Sequence, residues 1–163
     1  MIVAMSLEVL PLAYHLDLSV VAGILLGPAV GFLAAFVVVA ILALLGHGGL
    51  TVLGLNAPIL GIEVALGGLL FRALCRRGLA PGLAAALATA LVLPVSTTAM
   101  VLVVWLSRVA PAAMHEGHGP ANFPLFLGLT YGLGAIGWLI EALVSGGIVR
   151  YLARVRPGLL QEA

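Results

Sequence analysis

Apolar sequence in this chain stops at few places. The stop that constrains it most is Gly46-His47-Gly48-Gly49-Leu50-Thr51-Val52-Leu53-Gly54-Leu55-Asn56, a glycine-rich interruption bracketed on both sides by near-continuous apolar residues. Unpaired backbone groups are costly in a bilayer, so irregular glycine-rich sequence survives there only at an aqueous face or lining a protein cavity. The stretch is therefore expected as a loop between membrane helices. It brings His47, Thr51 and Asn56 into a chain with few polar side chains. A plain interhelical connection with a glycine C-cap at Gly46 accounts for it equally well.

The bilayer itself is inferred from composition. The 163 residues are 63% hydrophobic and 8% charged, with a mean hydropathy of +1.28; soluble domains carry about 25% charged residues. Seven arginines, no lysine and a net charge of +1 leave no basic surface for nucleic acid. A lone Cys75 permits no intrachain disulfide and no cysteine-built metal site. Residues 1–14 carry neither a basic n-region nor a small-residue cleavage site, so they are expected to belong to the mature fold.

The apolar runs set the expected architecture: an all-α, polytopic integral membrane bundle forming a single domain over residues 1–163. Residues 1–14 are too short to span and read as a partial helix. Residues 16–26 form a short run that stops at Gly27-Pro28, where proline removes a donor and disfavours helix in the residue before it. Four long spans follow, at residues 29–45, 58–74, 81–105 and 123–151. Pro94, followed by Ser96, Thr97 and Thr98, is expected to bend the third of them.

Arginines orient the bundle. Arg72, Arg76 and Arg77 close one span, and Arg150, Arg154 and Arg156 close the last; such clusters mark cytoplasmic ends. The expected placement is multi-pass in the cell inner (plasma) membrane with a cytoplasmic C-terminus, the loops at 46–57 and 110–122 lying outside. A mere kink at Gly27-Pro28 would leave His15 on the cytoplasmic side. A turn there returns His15 to the outer face beside His47, and the turn is the expectation because it gathers the polar residues of three loops. Gly82, Ala86 and Ala90, and likewise Gly128 and Gly132, recur every four residues, which lets helix backbones approach closely. Packing within the chain is the expected use of both stripes.

On that topology His15, His47, His115 and His118 share the outer side. Neutral imidazole is a common ligand for borderline transition metals. His115 and His118, in Met114-His115-Glu116-Gly117-His118-Gly119, are weak alternative metal ligands, since flanking glycines fit a solvated loop as well. Asp17, Glu63 and Glu141 lie near or inside apolar sequence, and a carboxylate in a span must face protein or water. Asp17 is expected to N-cap the short helix; the alternative is that, two residues from His15, it orients a metal ligand by accepting its hydrogen bond. Glu141, deep in the last span, is expected to hydrogen-bond another helix. No nucleophile elbow, phosphate loop, zinc-protease helix or dinucleotide fingerprint is present, so the chain is not expected to be an enzyme.

Two stretches carry a family resemblance: His15-Leu16 through Ala22-Gly23-Ile24-Leu25-Leu26-Gly27-Pro28, and Gly46-His47-Gly48-Gly49-Leu50-Thr51 through Leu53-Gly54 to Asn56. With Ile140-Glu141-Ala142-Leu143, they resemble the CbiM/NikM-type substrate-binding membrane subunit of energy-coupling-factor ABC transporters for cobalt and nickel. The resemblance implies uptake of Ni2+ or Co2+ as transported substrate, with no catalytic cofactor. As partners it implies a membrane coupling subunit and cytoplasmic ATPase subunits. His15 matches a loop histidine that the family uses as a metal ligand. His47, Thr51 and Asn56 match the motif that packs around the site, which implies supporting or loop-locking roles.

The family begins Met-His-Ile and this chain begins Met-Ile-Val, so that N-terminal segment and the family's first helix are expected to be missing. An upstream start, a small membrane subunit supplying the missing ligands, or divergence from metal carriage would each explain it. The alternative function is a non-transporting membrane subunit that keeps the fold and docks another membrane complex.

Overall fold

The computed structural model describes residues 16–45, 49–107 and 123–160. Those residues form α1 (Ser19–Leu44), α2 (Gly49–Arg76), α3 (Pro81–Ser107) and α4 (Phe123–Val155), closed by a short 3-10 turn at Pro157–Leu160. All four helices are long and apolar enough to cross a membrane. Helices suit that setting because every backbone bond closes inside the segment. The outward faces carry Leu33, Leu44, Leu91, Leu102, Leu139 and Leu143, all exposed. On a soluble protein such surface would be a liability, whereas here it meets lipid tails.

α1 is not one rod. Gly27 has φ 73° and ψ 174°, a region essentially restricted to glycine, and Pro28 follows it. The consequence appears at Gly31, where a Cβ would stand 3.0 Å from the carbonyl oxygen of Ala22. Nine residues of uninterrupted helix would separate those positions by about 13 Å. The chain therefore doubles back at Gly27, as the proline and glycine led us to expect, into a short arm at residues 19–26 and a longer one at 28–44.

Both arms pack on α2. A Cβ on Gly23 would overlap the Val64 carbonyl, and one on Gly68 would come within 2.7 Å of the Gly23 carbonyl oxygen. The longer arm buries Ala35 and Val39 against Leu60 and Val64. Val20 and Ile24 of the short arm enter the main core with Phe71, Ala84, Ala85, Ala88, Val92 and Val149, so that core draws on all four helices. A further cluster joins the end of α3 to the start of α4 through Val101, Val104 and Phe126.

Several expectations are corrected. α2 begins at Gly49, so most of the stretch expected to be a loop is helix, and Pro58 lies inside that helix. The stripe of Gly82 and Ala86 packs within the chain as expected, against Gly146 of α4. Among the described residues, nothing lies within 4 Å of a Cβ built on Gly128 or Gly132.

Candidate functional site

The sequence places two glutamates deep in spans, and the fold brings both to one depth. Glu63 lies thirteen residues before Arg76 on α2, and Glu141 thirteen before Arg154 on α4. At 1.5 Å per residue each carboxylate sits about 20 Å along its helix from the arginine-bearing end. That is inside a hydrocarbon core of about 30 Å. Glu63 is 6% exposed and Glu141 2%. Neither could stay there without polar company.

That company comes from all four helices. Glu63 accepts the hydroxyl of Ser19 on one carboxyl oxygen and that of Ser96 on the other. This single side chain thereby ties α2 to the short arm of α1 and to α3. Glu141 accepts the backbone N–H of Leu18 at 3.1 Å, with the N–H of Asp17 farther off at 3.5 Å. The Asp17 carboxyl lies beside Glu63, and its Oδ1 is buried with no partner among the described residues. Ser145, one turn from Glu141 on α4, is also fully buried with an unpartnered hydroxyl among the described residues. The result is a layer of carboxyl and hydroxyl oxygens at the start of α1.

Asp17 does not cap α1, contrary to expectation. The residue before the helix is Leu18, in the left-handed region at φ 56° and ψ 18°, and no side chain caps it from its own segment. Asp17 lies one residue too early, with its carboxyl beside Glu63. Glu141 behaves as expected, hydrogen-bonding another helix. The reversal at Gly27 brings Leu18 and Asp17 to Glu141 between the helices. His15, expected at the outer face beside His47, lies with it outside the described residues.

Of the remaining sequence candidates, Asn56 is exposed on α2 and Thr51 lies in its first turn. His15, His47, His115 and His118 lie outside the described residues. Among the described residues no set of three or more His, Cys, Asp or Glu side chains is arranged to hold a metal ion. Sequence reasoning missed Ser19 altogether and gave Ser96 only a local role beside Pro94. A lone serine in apolar sequence carries no motif. The only signal was that an intramembrane glutamate must find donors somewhere.

Membrane-length helices closing around a buried polar layer define a multi-pass membrane protein with polar groups set into an apolar core. Over residues 1–159 the chain matches the CbiM family, described as cobalt uptake substrate-specific transmembrane region, and it belongs to that family. It is thus a membrane component of cobalt uptake, in agreement with the resemblance carried by the His15 and Gly46–Asn56 stretches. No curated protein and no solved structure matches it.

Proposed function

We propose that the chain is the substrate-binding subunit of an energy-coupling-factor transporter, taking up divalent cobalt or nickel with His15 as a metal ligand. The observation that carries this reading is the polar layer. Asp17, two residues from His15, stands with Ser19, Glu63, Ser96 and Glu141 inside a bundle of a cobalt-uptake family. A cation entering from one side meets oxygen-lined protein in place of hydrocarbon, which lowers the barrier that a bare bilayer sets for charge. Imidazole nitrogen suits cobalt and nickel, and the nearby carboxyl groups orient and tune such a ligand. His47, Thr51 and Asn56 lock the outer end of the hairpin between α1 and α2. The arginine-bearing end, with the C-terminus, is cytoplasmic and faces a membrane coupling subunit and its ATPases.

Titration of the purified chain in detergent with Co2+ and Ni2+, by calorimetry with metal analysis, tests the reading. One-to-one binding is expected, weakened at least tenfold in His15→Ala. Binding that is unchanged in His15→Ala, or absent from the wild type, would overturn it for the chain by itself.

A further inference from the structure

The end of the bundle that carries the arginines holds a cavity of about 420 Å³. It lies where α2, the start of α3, the end of α4 and the closing 3-10 turn come together. Arg72 and Arg76 both line it. Residues four apart stand one above the other on a helix, so α2 delivers both guanidinium groups to the same side. Around these charges the wall is apolar, with Phe71, Pro81, Ala153 and Leu160, and Cys75 lines it next to Arg76.

Among the described residues no acid lies at this end. Asp17, Glu63 and Glu141 all belong to the polar layer, and Glu63, nine residues from Arg72, is about 14 Å away along α2. Arg76 closes a membrane span, which sets the cavity at the level of the lipid headgroups. Basic pockets between membrane helices suit the phosphate of an anionic lipid: a guanidinium fork takes two of its oxygens, and apolar walls take the start of its chains. Each guanidinium carries five N–H donors, enough to serve protein and phosphate together. We propose that this cavity binds the headgroup phosphate of an anionic phospholipid, held by Arg76 and Arg72. A lipid seated there contacts α2, α4 and the closing turn at once and stabilises the bundle. The site is independent of the reading of His15 as a metal ligand.

The cavity carries its own reporter. Cys75 is the one cysteine of the chain and lines the wall, so its alkylation by N-ethylmaleimide reads whether the cavity is filled. The full chain is placed in nanodiscs of phosphatidylcholine alone or with phosphatidylglycerol, and the rates are compared. Two exposed arginines separate the site from general surface charge. Arg76→Gln removes a charge from the wall. Arg77→Gln removes the same charge from a position about 100° round the helix that does not line the cavity.

In the wild type, phosphatidylglycerol is expected to slow alkylation about fivefold or more, the effect of one arginine near an anionic membrane surface. Arg76→Gln is expected to abolish that difference and Arg77→Gln to keep it. Stability gives a second reading, because a ligand of the folded state raises the melting temperature. Phosphatidylglycerol should do so for the wild type and Arg77→Gln but not for Arg76→Gln. Equal alkylation rates in both membranes for the wild type would mean that the cavity takes no anionic lipid, and overturn the proposal. Loss of protection in Arg77→Gln as complete as in Arg76→Gln would also overturn it, as a general response to surface charge. So would equal protection by inorganic phosphate in phosphatidylcholine nanodiscs, which would assign the site to a soluble phosphate.

Discussion

Gly23→Leu is expected to give a protein that no longer folds stably in detergent. A Cβ at this position would overlap the Val64 carbonyl, and both partners are backbone. No rotamer relieves such a contact, so the short arm of α1 must move away from α2. The movement separates Val20 and Ile24 from a core that also draws on Phe71, Ala88 and Val149. It pulls Ser19 from Glu63 as well, leaving a carboxylate short of one donor in the membrane interior. Leaving a buried polar group unsatisfied costs about 1–3 kcal/mol, more for a charged one, and overpacking adds about 1–3 kcal/mol. Together with the lost core contacts, these reach the lower end of the about 5–15 kcal/mol that holds a typical domain folded. A thermal melt of the detergent-solubilised protein, followed by size-exclusion chromatography, checks the outcome. A melting temperature within a few degrees of wild type would show that the arm does not pack as closely as the structure has it.

Gly27→Ala is the second large effect, and its cause is conformational instead of steric contact. Among the described residues nothing lies within 4 Å of a Cβ at Gly27, so no steric contact there opposes alanine. The φ of 73° with ψ 174° is what alanine resists, at about 1–3 kcal/mol or more. Straightening α1 would relieve that strain, but it would carry Asp17 and Leu18 away from Glu63 and Glu141. Either the strain is kept or the polar layer is broken. The expected result is a lowered melting temperature together with faster amide exchange at residues 16–22. If His15 is a metal ligand as proposed, cobalt binding should weaken in parallel. Gly27→Ala with unaltered exchange in that peptide would mean that the reversal does not depend on glycine.

The two substitutions mark different kinds of legibility. Gly27 was readable from sequence because Gly-Pro interrupting an apolar run is a local signal, and the physics behind it, a missing donor and a restricted preceding residue, is local too. Gly23 looked like any other small residue in a membrane helix. Its importance lies in Val64, forty-one residues away, and no local rule points there. The start of α2 shows the converse failure. Gly46 to Asn56 has the composition of a loop, yet from Gly49 onward it is helix. Glycine lowers helix propensity by only about 1 kcal/mol per residue. In a bilayer the demand that every backbone group be paired outweighs that preference.

The polar layer divides in the same way. Glu63 and Glu141 announced themselves, since a carboxylate in a long apolar run has to be satisfied by something. Their partners did not. Ser19, Ser96 and the N–H of Leu18 are ordinary groups until the chain reverses at Gly27 and brings the start of α1 between α2 and α4.

By itself, the sequence determined that this is a membrane protein of long helices, where arginines close them, that the chain turns at Gly27-Pro28, and to which family it belongs. These follow from hydropathy and from residues whose effect is local or covalent. Only the tertiary structure decided that the turn brings Asp17 and Leu18 to Glu141, and that a glutamate of the last helix holds the start of the first. Both depend on which faces of four helices meet. Apolar runs of nearly uniform hydropathy cannot specify those faces, because a lipid-facing leucine and a core-facing one read alike until the backbones are in contact.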